Sequence, residues 1–217
     1  MSLPTPNIAH LTEEDYDHVY EPAEDSFILL DALEIDAEEI RLSKPAINVE
    51  IGSGSGVVST FLSNLLGPNE SYVISTDINS YACKATQRTA AANQTTLDGI
   101  NCNLLSPLFS RLHQQVDILL FNPPYVPTDA DELSLTQEQK DIGGAWAGGF
   151  DGMAVTNLVL DQLPDLLSPA GRLYLVAVQQ NKTTDIAERM LALGLHTKVG
   201  LDSGIEEKEV SDLGCRR

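Results

Sequence analysis

Segments with strand patterns and segments with helix patterns alternate along most of this chain. Short apolar segments predict strands, and apolar residues three or four positions apart predict helices. The predicted strands are 47–51, 72–76, 100–104, 116–121, 172–178 and 195–201, and the predicted helices are 23–40, 57–65, 80–93, 153–167 and 184–193. Because strands that alternate with helices form parallel sheets covered on both faces, the sequence predicts one α/β domain with a mostly parallel sheet.

Three chemically distinctive segments lie at the carboxyl ends of predicted strands. They are 50–56, Asp77 and 122–125. In open parallel sheets the ligand binds beyond the carboxyl ends of the strands. The shared position of the three segments therefore predicts one ligand site at that edge of the sheet.

The first of these segments contains Gly52, Gly54 and Gly56, between a strand and a helix. Glycines let the backbone approach a ligand closely, and the start of the helix offers free N–H groups. Asp77 ends the next strand 25 residues after Gly52, close to the separation at which an acidic residue binds ribose hydroxyls. Loop and acid together favour an adenosine-containing ligand. The structural alternative is a tight turn, with Asp77 capping a helix that begins near Asn79.

The glycine spacing separates two kinds of adenosine ligand. The dinucleotide fingerprint is G-x-G-x-x-G, whereas this loop is G-x-G-x-G and follows Glu50. A pyrophosphate would favour basic residues near the loop, and none is close in sequence. S-adenosylmethionine carries a sulfonium and an ammonium group, which an acidic residue favours. The sequence therefore predicts S-adenosylmethionine as the ligand.

The segment Asn122-Pro123-Pro124-Tyr125 ends the strong strand 116–121. Its two prolines stop the strand and stiffen the turn. The carboxamide of Asn122 can accept and donate at once, so it complements a planar amide or the exocyclic amine of adenine. Tyr125 can stack on such a planar group. The segment predicts methyl transfer to a conjugated nitrogen by alignment, and the alternative is a turn with a satisfied Asn and a core Tyr.

Composition excludes several classes of function. The formal net charge is −19, with 13 Lys and Arg against 32 Asp and Glu, so direct nucleic-acid binding is disfavoured. No apolar run approaches a membrane span, and the first residues resemble neither a signal peptide nor a transit peptide. The three cysteines and four histidines are scattered, which predicts no bound metal. We expect a protein of the cytosol or nucleus.

Six motifs occur in a specific order along residues 18–195. They are Tyr20-Glu21-Pro22-Ala23-Glu24-Asp25-Ser26, Glu50-Ile51-Gly52-Ser53-Gly54-Ser55-Gly56, Thr76-Asp77-Ile78-Asn79, Phe121-Asn122-Pro123-Pro124-Tyr125-Val126, Ala145-Trp146-Ala147-Gly148-Gly149 and Leu166-Leu167-Ser168-Pro169. With this set the chain resembles the HemK-type protein-glutamine methyltransferases, and specifically the eukaryotic form that methylates a class I translation release factor. Asn-Pro-Pro-Tyr alone is less specific, since DNA and RNA amino-methyltransferases share it.

The resemblance implies a Rossmann-like, seven-strand class I methyltransferase fold and a glutamine acceptor in a Gly-Gly-Gln motif. It implies a catalytic, acceptor-binding set of Asn122, Pro123 and Tyr125. The S-adenosylmethionine-binding residues that it implies are Ser26, Glu50, Gly52, Gly54, Asp77, Ile78, Asn103, Leu104 and Asn122. It also implies a small zinc-binding activator subunit as the partner in a heterodimer.

Two positions depart from the family pattern. Asn103 stands where the family holds an Asp that pairs with the adenine amine, so we expect weaker donor binding. The segment 202–217 has few apolar residues for a final strand, so we expect that it does not insert fully in the sheet. The predicted organisation is a flexible N-terminal arm at 1–17, a methyltransferase domain at 18–201 and a divergent C-terminal segment at 202–217.

Three other functions stay open on the residues alone. A nucleic-acid adenine-N6 methyltransferase would share the Asn122 motif. An inactive adenosine-binding subunit would be consistent with Asn103. A protein-lysine methyltransferase could attract its substrate with an acidic lid of Glu21, Glu24 and Asp25.

Overall fold

The computed structural model of the chain describes residues 3–67, 71–124, 152–199 and 210–216. In this part of the chain one sheet has the strand order β3-β2-β1-β4-β5-β7-β6. The strands are β1 (Ile47–Ile51), β2 (Tyr72–Asp77), β3 (Asp98–Asn101), β4 (Val116–Phe121), β5 (Leu167–Val178), β6 (His196–Val199) and β7 (Val210–Arg216). The helices are α1 (Glu13–Tyr16), α2 (Glu24–Ile35), α3 (Ala37–Ser43), α4 (Val57–Leu66), α5 (Ser80–Ala92), α6 (Ala154–Leu166) and α7 (Thr183–Ala192). The strands β1 to β5 are parallel, which confirms the predicted α/β class.

The register of the central strands places the predicted ligand segments side by side. Ile51 of β1 pairs with Thr76 of β2 and with Phe121 of β4. Gly52, Asp77 and Asn122 follow or end these strands, so they meet at one edge of the sheet.

Two apolar cores cover the two faces of the sheet, as a buried parallel sheet requires. One core packs the β4 and β5 side chains Leu119, Phe121 and Leu175 against α6 and α7. The other packs α2 and α4 against Ile118 and Leu120 of β4. Alternate β4 residues therefore point into opposite cores, which explains why this strand is an almost continuous apolar run.

The C-terminal strand corrects one expectation. Residues 210–216 form β7, which pairs antiparallel with β5 over seven residues and with β6 over four. The prediction that the segment 202–217 does not insert fully in the sheet was wrong for residues 210–216, and residues 202–209 lie outside the described part of the chain. Ladder hydrogen bonds use backbone groups, so a strand with neighbours on both sides does not depend on a strong side-chain pattern.

The N-terminal arm is a second correction. Residues 3–20, which we call the N-terminal strap, pack across α5, whereas a flexible arm was expected at 1–17. Leu11 and Val19 are buried against α5, and Asn7 exchanges two hydrogen bonds with Asn93. The capping box of Thr12 and Asp15 starts α1. The strap therefore belongs to the folded domain.

The predicted helix 23–40 is divided in two at Asp36, whose carboxylate accepts a hydrogen bond from the buried Tyr174 hydroxyl at 3.0 Å. Within the described ranges, no helix has both the length and the apolar character needed to cross a membrane. The same residues contain no group of three or more His, Cys, Asp or Glu side chains that could hold a metal ion.

Candidate active site

The glycine loop between β1 and α4 uses conformations that favour glycine. Gly52, Gly54 and Gly56 have φ values of 73°, 51° and 79°. A Cβ at Gly56 would lie 2.5 Å from the Thr86 Cα, so this glycine lets α4 start against α5. A Cβ at Gly52 or Gly54 would meet no atom within 4 Å. These two glycines therefore border open space that a ligand can fill.

Two threonines of α5 hold the glycine loop from behind. The Thr86 hydroxyl donates to the Gly54 carbonyl at 3.3 Å and lies 2.9 Å from the Ser53 Oγ. The Thr89 hydroxyl donates to the Ser55 carbonyl at 2.6 Å. Neither threonine was predicted as a site residue, although their three-residue spacing on a helix places them on one face.

Asp77 joins the loop from the end of β2. Its Oδ2 accepts from the Gly54 N–H at 3.0 Å and its Oδ1 from the Asn79 N–H at 2.8 Å. Burial raises the pKa of this carboxyl group, against the effect of the two N–H donors. The residue that caps α5 is Asn79, whose side chain accepts from the Tyr81 N–H. Asp77 is therefore part of the loop site, and the capping alternative does not account for it.

Residues after β2 and β3 form a wall beside Asp77. The Cys102 N–H donates to the Asp77 carbonyl at 3.0 Å, which holds the end of β3 against β2. Ile78, directly after β2, is 41% exposed. Asn103 is exposed and Leu104 is half-buried with a positive φ of 47°. The structure thus brings Ile78, Asn103 and Leu104, three of the predicted donor-binding residues, to the same edge as Asp77.

Glu50 lies beneath the glycine loop. It is 3% exposed, and its Oε2 accepts from both the N–H and the hydroxyl of Ser59 on α4. Ser75 of β2 extends this network at 2.7 Å from the Ser59 Oγ. Burial raises the pKa of Glu50 to about 8, although the Ser59 hydrogen bonds oppose the shift. Glu50 thus supports α4 below the loop, and its contact with the donor stays a prediction.

Asn122 follows β4 and meets the start of α2. Its Nδ2 donates to the Oδ2 of Asp25 at 3.0 Å, across 97 residues of sequence. Its Oδ1 is buried and has no hydrogen-bond partner in the described structure. Ser26, next to Asp25, is buried, and its hydroxyl lies 3.4 Å from the Asp25 Oδ1. An orphaned buried carbonyl oxygen marks a place where a donor from another molecule can bind.

The structure describes the two prolines that follow Asn122 but not Tyr125. Pro123 is buried and Pro124 is half-buried. Tyr125 and the glycine-rich part of the long polar loop at 125–149 lie outside the described residues. The prediction of an acidic lid was partly wrong. Glu21 and Glu24 are exposed, but Asp25 is buried and hydrogen-bonded to Asn122.

The residues present fit S-adenosylmethionine. Open space borders Gly52 and Gly54, the Asp77 carboxylate lies beside it, and Ile78 offers an apolar surface. The unpartnered Asn122 oxygen lies at the same edge of the sheet. This set can hold an adenosine-containing methyl donor and one N–H of an acceptor.

Comparisons with known proteins agree with this geometry. Residues 26–139 match the family model described as "Methyltransferase small domain". The chain is 41% identical to "Methyltransferase HEMK2" of Homo sapiens, over 96% of this chain and 94% of that protein. It is 44% identical to "eRF1 methyltransferase catalytic subunit mtq2" of Schizosaccharomyces pombe, over 86% of this chain and 84% of that protein.

A solved structure is also similar. It is the E. cuniculi Mtq2-Trm112 complex, described as responsible for the methylation of the eRF1 translation termination factor. Its matching chain has a TM-score of 0.67 and 25% identity, and the match covers 92% of this chain and 98% of that chain. Sequence, fold and site thus agree, and the chain belongs to the small-domain methyltransferases that use S-adenosylmethionine, in the HemK-type group of protein-glutamine methyltransferases.

Proposed function

We propose that this chain transfers a methyl group from S-adenosylmethionine to the side-chain amide nitrogen of the glutamine in a Gly-Gly-Gln motif of a class I translation release factor. The observation that carries the proposal is the buried Asn122 Oδ1, which accepts no hydrogen bond in the described structure. A primary amide brings the N–H that this oxygen lacks. The relationship to proteins named for eRF1 methylation supports the release factor as substrate.

Bound S-adenosylmethionine would supply an electrophilic methyl carbon, and its methyl–sulfur bond would break to leave the neutral thioether S-adenosylhomocysteine. The chain contributes alignment, since an amide nitrogen is a weak nucleophile whose lone pair is conjugated. The Asn122 oxygen accepts one N–H and fixes the direction of the nitrogen. Gly52, Gly54 and Asp77 hold the donor at the neighbouring strand ends. The proton leaves the nitrogen after the new bond has formed, so no strong base is required.

Two further parts of the proposal rest on relatives. We propose a small activator subunit as partner, because the similar E. cuniculi chain is in a complex with Trm112. The zinc site of that partner follows only from the family resemblance. We propose that the protein resides in the cytosol, where translation release factors act, or in the nucleus.

The test is a methyl-transfer assay on the co-expressed activator complex. Labelled S-adenosylmethionine is supplied with the release factor, or with the same factor whose Gly-Gly-Gln glutamine is replaced. We expect label only on the unaltered factor. Asn122→Ala should reduce labelling to a small residual rate, whereas Asn64→Ala, at an exposed position of α4, should leave it unchanged. Equal label on the unaltered and the altered release factor would contradict the proposal. Duplex DNA and histone would then be tested as methyl acceptors.

A further inference from the structure

Asp25 is a buried carboxylate at the first turn of α2, and it accepts hydrogen bonds from several groups of the described structure. It is 4% exposed. Its Oδ2 accepts from the Asn122 Nδ2 at 3.0 Å. Its Oδ1 accepts from the Ser26 N–H at 2.7 Å, and the Tyr20 hydroxyl lies 3.2 Å and 3.1 Å from the two oxygens. These contacts hold the carboxylate in one orientation.

The Asp25 carboxylate determines which end of the Asn122 side-chain amide faces the methyl-acceptor amide. An asparagine side chain can rotate by half a turn and exchange its oxygen and its nitrogen. A carboxylate accepts hydrogen bonds and donates none, so only the Nδ2 of Asn122 can face Asp25. The Oδ1 must then point away from Asp25, and this is the buried atom without a partner. The opposite rotation would present N–H groups to an acceptor nitrogen that itself carries N–H groups.

The negative charge of Asp25 also makes the Asn122 oxygen a stronger hydrogen-bond acceptor. Hydrogen bonds in series polarise one another, and a charged partner strengthens the bond that it joins. A carboxylate at Nδ2 therefore increases the electron density on the far oxygen of Asn122. The effect acts at the atom that binds the acceptor amide.

We propose that Asp25 is a positioning residue for methyl transfer, which fixes the Asn122 amide with its oxygen toward the acceptor. The inference rests on the proposed function and adds a link to the N-terminal strap, because Tyr20 ends the strap and holds the Asp25 carboxylate. A purely structural role is the competing account, since an acidic residue in the first turn of a helix stabilises that helix. The two accounts differ in whether Asp25 acts through Asn122.

The experiment compares Asp25→Asn with Asp31→Asn, a matched change at an exposed carboxylate of the same helix. Single-turnover methyl transfer is measured in the activator complex, together with donor affinity by calorimetry and the unfolding temperature. An asparagine at position 25 lets the Asn122 amide adopt both rotations. We expect the transfer rate to fall by about 10- to 100-fold, as small misplacements of reacting groups do, with donor affinity within about twofold of wild type. The Asp31 variant should match wild type.

A double-mutant cycle separates positioning from stability. Asp25→Asn should cost nothing further in residual transfer when Asn122 is already Ala. Equal costs in both backgrounds would overturn the proposal, as would an unchanged rate for Asp25→Asn. Should Asp25→Asn fail to fold, Tyr20→Phe removes one hydroxyl only and serves in the same cycle. Tyr20→Phe should lower the transfer rate when Asn122 is present and should have no further effect in the Asn122→Ala background.

A spectroscopic readout keeps this inference separate from the proposed function. The side-chain NH₂ resonances of Asn122 report its hydrogen bond to Asp25 without any substrate. Asp25→Asn should shift these resonances, and Asp31→Asn should not. If wild type labels no glutamine, the proposed function fails, and unshifted Asn122 resonances in Asp25→Asn would separately show that Asp25 does not hold the Asn122 amide. If wild type labels glutamine but neither rate nor resonance responds to Asp25→Asn, only the positioning role fails.

Discussion

The Oδ2 of Asp77 accepts a hydrogen bond from the backbone N–H of Gly54 at 3.0 Å. This bond joins the end of β2 to the loop that follows β1, so the acid and the glycine loop form one unit. The second oxygen of Asp77 holds the Asn79 N–H, which leads into α5. A change at Asp77 should therefore alter the shape of the loop as well as the charge beside it.

Asp77→Asn should weaken donor binding. The asparagine amide has one accepting oxygen for the two N–H groups that Asp77 binds, and it carries no negative charge. Hydrogen bonds to charged groups contribute about 1.5–3 kcal/mol, so the dissociation constant should rise by about 10- to 100-fold. Calorimetric titration with S-adenosylmethionine measures this. Asp98→Asn, at an exposed position of β3, is the control, and equal affinity of the two variants would contradict the role of Asp77.

Alanine substitutions at two glycines of the loop should affect protein stability and donor binding to different degrees. At Gly56 an alanine combines a positive φ with a Cβ contact of 2.5 Å to Thr86, so the unfolding temperature should fall strongly. Gly52→Ala carries only the conformational cost of about 1–2 kcal/mol, roughly 2–8 °C for a chain of this size, and fills the space of the donor. Thermal unfolding and donor titration of both variants test the contrast. The opposite ranking of the two unfolding temperatures would show that the contact with Thr86 is unimportant.

Asn103→Asp should tighten donor binding. The side chain is exposed beside Asp77 and Ile78, and a carboxylate there would add charge to a hydrogen bond with the adenine amine. The measurement is again calorimetry. Asn64→Asp, at an exposed site on α4, controls for the added negative charge. Affinity equal to or weaker than that of wild type would refute the prediction.

Glu50 should make the stability of the fold depend on pH. Burial raises its pKa from 4.5 to about 8, so the folded protein binds a proton that the unfolded chain releases. The stabilisation is complete below pH 4.5 and is lost as the pH rises toward 8. Glu50→Gln should remove this part of the slope. Urea unfolding of both proteins at several pH values in this window tests it, and parallel curves would show that Glu50 does not titrate as inferred.

The sequence was informative where local pattern and tertiary structure agree. The parallel strands β1, β2, β4 and β5, the glycine loop and Asp77 follow from apolar runs and from residues directly after them. The strand β3 (Asp98–Asn101) has no apolar run and begins two residues before the predicted 100–104. The position of Asn122 at the same edge followed from the rule that parallel strands share their carboxyl ends. The binding roles of these residues are still predictions, since their test requires ligand.

Contacts between distant segments were not visible in the sequence. Asp25 and Asn122 are 97 residues apart, and nothing in the acidic segment 21–25 distinguishes the one buried carboxylate from its exposed neighbours. The strap has too few apolar residues for a periodic pattern, and it packs through Leu11, Val19 and side-chain hydrogen bonds. The strand β7 was missed because its backbone pairing, which the sequence does not display, places it between two neighbours.

The strand order also constrains how this chain can assemble. In the sequence β6 precedes β7, yet in the sheet β7 lies between β5 and β6. The strand β6 therefore reaches the sheet only through β7, and the β5 edge is covered only when β7 is in place. A change that weakens the β5–β7 pairing should expose the β5 edge to mispairing with other chains and favour aggregation.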